Sequence, residues 1–157
     1  MRRKEQDVTS PKIVEELLSD VLVCRLGMCL GNKPYVVPVN FAHKGTKVFI
    51  HGCCEGKKID ILRENPAVFF EATREGDLLP ASDSENMCKS DFSFQCLMAS
   101  GVAELVENAE EKAEVLDALC TKYYGKSGMM PETAIRGTCV FKISLEDISV
   151  KQSGEWP

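Results

Sequence analysis

The sequence predicts a mainly β protein, an antiparallel barrel with helices at its periphery. Strand-like runs recur along the 157 residues, over 21–29, 35–42, 47–52, 67–73, 92–106, 138–145 and 148–151. The helix-like segments lie between some of these runs and do not alternate strictly with them, as a parallel sheet would require. Between the second and third runs, His43-Lys44-Gly45-Thr46 places Gly45 where a tight hairpin needs a positive φ.

Each element has its own signal. Ser10 followed by Pro11 reads as an N-cap and first helical residue, and Ile13, Leu17 and Leu18 supply the apolar stripe of a short helix ending near Asp20. A turn over 30–33 leads into the second strand. Pro38 interrupts that strand; it has no N–H to give a ladder, so the strand is expected at an edge or bulge. The irregularity either protects the edge or frees backbone groups for a ligand. Residues 57–64 read as a short amphipathic helix, closed by Asn65-Pro66 because the residue before proline leaves the helical region. Residues 74–91 read as a long polar loop, either a cover for a site or a surface insertion. Ser100-Gly101 marks a bulge or corner in the run 92–106. From Asn108 to Tyr124, Leu116, Leu119, Cys120 and Tyr123 share a helical face, with Glu110, Glu111 and Glu114 near the N-terminus and Gly125 as C-cap. A loop over 126–137 follows. The whole reads as one domain over residues 1–157, with 151–157 as a tail.

Composition narrows the function. The net charge of −5 and pI near 5.2 argue against a nucleic-acid partner. No apolar run approaches the roughly 20 residues of a membrane helix, and no apolar segment follows the charged start, so a cytoplasmic protein is expected. Eight cysteines, at 24, 29, 53, 54, 88, 96, 120 and 139, are then expected as buried or free thiols. With two histidines and no Cys-x-x-Cys, no metal site is expected. No dinucleotide or Walker-type glycine motif is present.

The chemistry concentrates in residues 35–58. His51 stands at a strand end between Ile50 and Gly52, either as a structural histidine or as a pocket-lining one. Gly56-Lys57-Lys58 opens a helix. Free N–H groups, a positive dipole end and two ammonium groups there suit a phosphate; the plainer reading is a solvated lysine pair. Asn40 adds an amide that both donates and accepts. Arg25 and Arg136 are cations for the phosphate or members of surface ion pairs. Cys53-Cys54 offers a redox pair, although adjacent cysteines rarely form an unstrained disulfide.

Met1-Arg2-Arg3-Lys4, Pro34-Tyr35-Val36-Val37-Pro38-Val39-Asn40-Phe41, Phe49-Ile50-His51-Gly52 with Gly56-Lys57-Lys58, Asn65-Pro66 and Ser100-Gly101-Val102-Ala103-Glu104-Leu105 occur in one order. That ordered set resembles the split-barrel flavoproteins of the pyridoxamine-phosphate-oxidase-like superfamily, most of all the nitroimidazole-resistance branch. The resemblance implies a six-stranded antiparallel split β-barrel that binds FMN at the interface of a homodimer. It implies a cofactor site of Val37, Pro38, Val39, Asn40, Ile50, His51, Gly52, Lys57, Lys58, Gln95 and Cys96, with His51 the residue nearest catalysis. The implied activity passes electrons from a donor such as NAD(P)H to a small acceptor such as a nitroaromatic. A flavin-binding sensor or carrier, or a haem or tetrapyrrole binder on the same barrel, is the alternative. The chain departs from the pattern in three places. Lys57 stands where arginine is common, Cys53-Cys54 where small residues are usual, and Cys96 where Ser or Gln faces the flavin.

Overall fold

The computed structural model describes residues 3–82 and 86–156. Met1 and Arg2 of the opening motif, residues 83–85 of the expected loop and Pro157 of the expected tail lie outside the described residues. In chain order come α1 (Pro11–Asp20), β1 (Val23–Leu30), β2 (Lys33–Lys44), β3 (Lys47–Gly52), α2 (Lys57–Glu64), β4 (Ala67–Leu79), β5 (Asp91–Leu105), α3 (Ala109–Tyr124), α4 (Glu132–Gly137) and β6 (Cys139–Ser153). The six strands form a closed antiparallel barrel in the order β1-β2-β3-β6-β5-β4, with β4 pairing back onto β1.

Alternation along the strands fills the barrel. Cys24, Leu26 and Met28 of β1, Val48 and Ile50 of β3, and Leu97 and Ala99 of β5 point inward. Phe41 and Phe70, both fully buried, meet edge to face with centroids 5.3 Å apart, a favoured aromatic geometry. Val14, Leu17 and Leu18 of α1 and Ile59, Ile61 and Leu62 of α2 join the same core. The α1 cap forms as expected, with Ser10 Oγ accepting from the Ile13 N–H at 3.3 Å. Helix α3 packs elsewhere. Its Val115, Leu116 and Leu119 form a second cluster with Ala42, Val106 and Val140, on the outside of β2 and β6.

In secondary structure, four segments depart from the sequence expectation. Residues 74–79, expected as the start of a loop, continue β4 and pair with the start of β5, Arg74↔Gln95 through Leu79↔Asp91. Their side chains are mostly exposed, so a polar hairpin extension has the composition of a loop. The two runs 138–145 and 148–151 are one strand, β6, bent at Asp147 with φ 49°. Ser100 Oγ donates to Asp147 Oδ2 at 3.1 Å across the bend, and the β5–β6 register shifts between Met98 and Ser100. A Cβ on Gly101 would lie 2.8 Å from the Ser144 carbonyl oxygen, so this corner requires glycine. Strand β6 runs to Ser153, which shortens the expected tail. Trp156 folds back, its Nε1 donating to the Ser153 carbonyl at 3.1 Å and its ring 4.9 Å from the Arg74 guanidinium. The expected loop 126–137 contains α4.

Two of the eight cysteines are not free. Cys54 and Cys139 are joined in a disulfide, with their Cα atoms 5.0 Å apart. Cys53 remains an exposed thiol.

Candidate functional site

Strands β2 and β3 pair only from Phe41↔Ile50 to Lys44↔Lys47. Beyond that point residues 33–40 pair with β1 alone, and His51 and Gly52 pair with β6 alone. The barrel wall is split there. Tyr123 of α3 fixes one side of the split. Its hydroxyl accepts from the Phe41 N–H at 3.0 Å and also contacts the Leu22 carbonyl, where the β1–β2 ladder ends. Phe41 therefore turns its N–H toward the Leu22 side, and by alternation Val36, Pro38 and Asn40 turn their backbone groups to the free edge. Pro38 thus forfeits no ladder bond, and the expected edge position holds.

The split opens into a cleft of ≈ 290 Å³ between the strands and α3. Asn40 and His51 face it from the barrel, and Leu116, Leu119, Cys120, Tyr123, Tyr124 and Met130 line the opposite wall. His51 is half-buried, and its Nδ1 is buried without a hydrogen-bond partner among the described residues. Burial first, and then the charge of Lys58, hold its pKa below the ordinary 6.5. The imidazole is therefore neutral at pH 7, with one ring nitrogen still to be satisfied. An imidazole in water is readily protonated near neutrality; this environment opposes that.

Gly56, at φ 103°, is the N-cap of α2 and has no side chain to satisfy the first-turn N–H groups. The two lysines diverge from this point. Lys57 Nζ lies 4.4 Å from the centroid of the Tyr35 ring, beside the free edge of β2. Lys58 Nζ lies 3.1 Å from where a Gly52 Cβ would stand, and burial lowers its pKa. Among the described residues neither lysine pairs with a carboxylate, whereas Arg25 pairs with Glu71 and Arg136 with Glu132. Both arginines considered for a phosphate are thus already engaged. The site offers a polar strand edge, an unsatisfied imidazole nitrogen and two uncompensated ammonium groups. That set fits a flat heterocycle carrying a phosphate.

Not every residue named from the sequence reaches the cleft. The Ile50 side chain is fully buried in the barrel, and Val37 and Val39 pack on the core with their backbones turned to β1; none of the three offers a side chain to the cleft. Gln95 is buried, with Oε1 accepting from Arg74 and Nε2 donating to Gln152 Oε1 at 2.6 Å. Cys96 points outward, its thiol 3.4 Å from Glu71 Oε1. Both belong to the end of β5 paired with Gln152 and Lys151, while the other end pairs with Phe141 near His51. The separation along β6, from Val140 to Lys151, is roughly 35 Å at the usual strand rise.

Sequence reasoning missed the α3 wall as a wall. The apolar face of that helix was visible, but a core face and a cleft face share one periodicity. It also missed Lys122, half-buried at the back of α3. Its Nζ donates to the carbonyls of Leu18 at 2.8 Å and Val21 at 2.9 Å and lies 3.5 Å from the Phe41 ring centroid. Burial outweighs the opposing influence of Cys24 and Asp20 and pulls its pKa down to about 8.

Comparison with known proteins places this geometry. The chain superposes on an FAD- and heme-binding protein of Mycobacterium smegmatis with TM-score 0.84 at 20% identity, over 97% of this chain and 75% of that one. The flavocytochrome Anf3 of Azotobacter vinelandii gives TM-score 0.84 at 21% identity, over 100% of this chain and 73% of that one. A candidate 5-nitroimidazole antibiotic resistance protein of Bacteroides thetaiotaomicron gives 0.82 at 24% identity, over 93% and 86% of the two chains. These likenesses establish the split-barrel fold. An uncharacterised protein of Rhizobium meliloti (strain 1021) is 39% identical over 49 residues, a stretch that spans 31% of this chain and only 32% of that protein. The sequence pattern of pyridoxamine 5'-phosphate oxidase matches residues 10–152, and with nearly all of the barrel inside that match, the chain belongs to the pyridoxamine 5'-phosphate oxidase family.

Proposed function

We propose that the protein is an FMN-dependent oxidoreductase, working as a homodimer in the cytoplasm. It passes electrons from NAD(P)H or a similar donor to a small acceptor of the nitroaromatic type. The observation that carries this reading is the split between β2 and β3. There a free strand edge and an unsatisfied His51 nitrogen open on one cleft, and two carboxylate-free lysines follow His51 in the chain at the start of α2.

Each part has a role. The free backbone groups of Val36, Pro38 and Asn40, with the Asn40 amide, match the alternating donors and acceptors of a flavin's pyrimidine edge. Lys57, Lys58 and the first turn of α2 hold the phosphate. One phosphate site, with no second cation cluster beside it among the described residues, favours FMN over FAD. When bound, the flavin supplies the redox chemistry; the chain supplies placement. His51, neutral at pH 7, donates or accepts one hydrogen bond to the cofactor or acceptor, and the apolar α3 wall excludes water. Cys96, remote from His51 within a protomer, would meet the cofactor of a second copy, which is why the dimer belongs to the proposal.

Reconstitution tests the reading. Apo-protein is incubated with FMN, FAD, riboflavin and haem, and the retained chromophore is identified by its spectrum. FMN should be retained best, be reduced by NADH and be reoxidised by a nitroaromatic. Retention of haem alone, or of no flavin, would overturn it.

A further inference from the structure

The geometry points to a thiol–disulfide exchange site at the turn that joins His51 to Lys57, formed by the Cys54–Cys139 disulfide and reduced by a small dithiol or a dithiol protein. This inference does not depend on which ligand the cleft takes.

The bond is placed to matter. Cys139 is the first residue of β6 and pairs with Gly52, the last residue of β3. Cys54 lies two residues beyond Gly52 and two before Gly56, the N-cap of α2. The bond therefore ties residues 53–56 to the barrel between the imidazole and the two lysines, and it closes a sequence separation of 85 residues. The described hydrogen bonds hold this turn with little else. Arg63 Nη2 donates to the Cys54 carbonyl at 3.4 Å, and α2 begins only at the Gly56 carbonyl, which accepts from Ile59 at 2.8 Å. The two sulfurs are also unequal. Cys139 is buried, whereas Cys54 is only partly buried and stands beside the exposed Cys53. A thiolate from solvent therefore meets Cys54 Sγ before Cys139 Sγ.

The exchange balances as two displacements. A reductant thiolate attacks Cys54 Sγ, the S–S bond breaks, and Cys139 leaves as a thiolate that takes up a proton. The second thiol of the reductant then attacks the mixed disulfide, releasing Cys54 as a thiol and the reductant as its own disulfide. Two electrons pass from the dithiol to the protein. Residues 53–55 are then held only by their ends at Gly52 and Gly56 and by the one Arg63 hydrogen bond, and Lys57 and Lys58 lose their fixed distance from His51.

The test uses the full chain without cofactor. A non-reducing peptide map should show Cys54 linked to Cys139 and Cys53 free. Graded dithiothreitol should open this bond under native conditions, with Cys54 alkylated before Cys139. Amide exchange over residues 52–58 should then rise at least about tenfold, while β4 and β5 keep their protection. Cys139→Ser should show the reduced pattern without reductant, and Cys53→Ser should keep the oxidised one. If Cys139→Ser does not fold, the double change Cys54→Ala with Cys139→Val replaces it. The proposal fails if no Cys54–Cys139 linkage is found, if the linkage proves to involve Cys53, if the bond opens only on global unfolding, or if opening it leaves exchange over 52–58 unchanged.

Discussion

A neutral imidazole with one buried, unbonded nitrogen costs little to remove and is available to a ligand. His51→Ala breaks no hydrogen bond among the described residues, so the fold should persist, while reoxidation by an acceptor should slow more than FMN affinity falls. Melting temperature, FMN dissociation constant and reoxidation rate on one preparation decide this; lost stability with an unchanged rate per bound flavin would make His51 a packing residue. The depressed pKa of His51 also has a stability consequence. Between its folded value and the ordinary 6.5, the unfolded chain binds the proton and the folded one does not. Stability therefore rises with pH across that window and is lost as pH falls through it. His51→Gln should flatten this part of an apo-protein unfolding curve measured from pH 5 to 8; an unchanged slope would contradict the burial-driven shift. The lysines act at the other end of the site. Lys57→Ala with Lys58→Ala should weaken FMN more than riboflavin, by roughly 1.5–3 kcal/mol for each charge-assisted hydrogen bond lost. Equal losses for the two flavins, measured by fluorescence titration, would place the phosphate elsewhere.

At the scale of elements, what the sequence showed and what it hid follow a physical line. Strand β3 and helix α2 were legible to the residue, because alternation and the Gly56–Asn65-Pro66 boundaries are local signals. The caps at Ser10 and Gly125 were legible for the same reason. The β4 extension was not, since an exposed two-stranded hairpin has no apolar face to betray it. The continuity of β6 through Asp147 was hidden because a positive φ at an aspartate leaves no clear mark in sequence. The site divided likewise. His51, Asn40, Lys57 and Lys58 lie within 19 residues of one another, whereas the α3 wall and the partner of Cys54 come from residues 58 or more positions away and require the topology. Helix α3 is itself held to the barrel by Tyr123 and Lys122, and here a prediction belongs. Lys122→Met should destabilise the protein by about 1–3 kcal/mol, because the carbonyls of Leu18 and Val21 lose their donor inside the structure. Chemical denaturation would measure it, and a neutral or stabilising effect would mean that relief from burying the amine outweighs the two hydrogen bonds.

For the whole molecule, the closed barrel leaves an outer face around Gly27 that is lined, among the described residues, by strands alone. Across β2, β1, β4 and β5, register sets Val36, Gly27, Phe69 and Ser100 side by side. Val36 is 60% and Phe69 50% exposed, with Val102, 47% exposed, nearby. Gly27 leaves a groove between Val36 and Phe69, and the Arg25–Glu71 pair borders it. An apolar row beside one residue of each charge is self-complementary under a two-fold axis, so a second copy of this chain is the occupant that the face suits. Cys96 lies on the same outer side, next to Glu71, and such a dimer would carry it toward the partner. Phe69→Asp places a charge in the centre of that row without disturbing the core, since the Phe69 side chain is half in solvent and its strand neighbours Val68 and Phe70 point inward. Sedimentation equilibrium should find the parent chain dimeric at micromolar concentration and the variant monomeric, with an unchanged far-ultraviolet spectrum. If FMN binding needs both protomers, the variant should also bind FMN more weakly, although it retains His51, Lys57 and Lys58. A parent chain that is monomeric with its flavin fully bound would remove the partner from the site, and with it the reason for placing Cys96 near the cofactor.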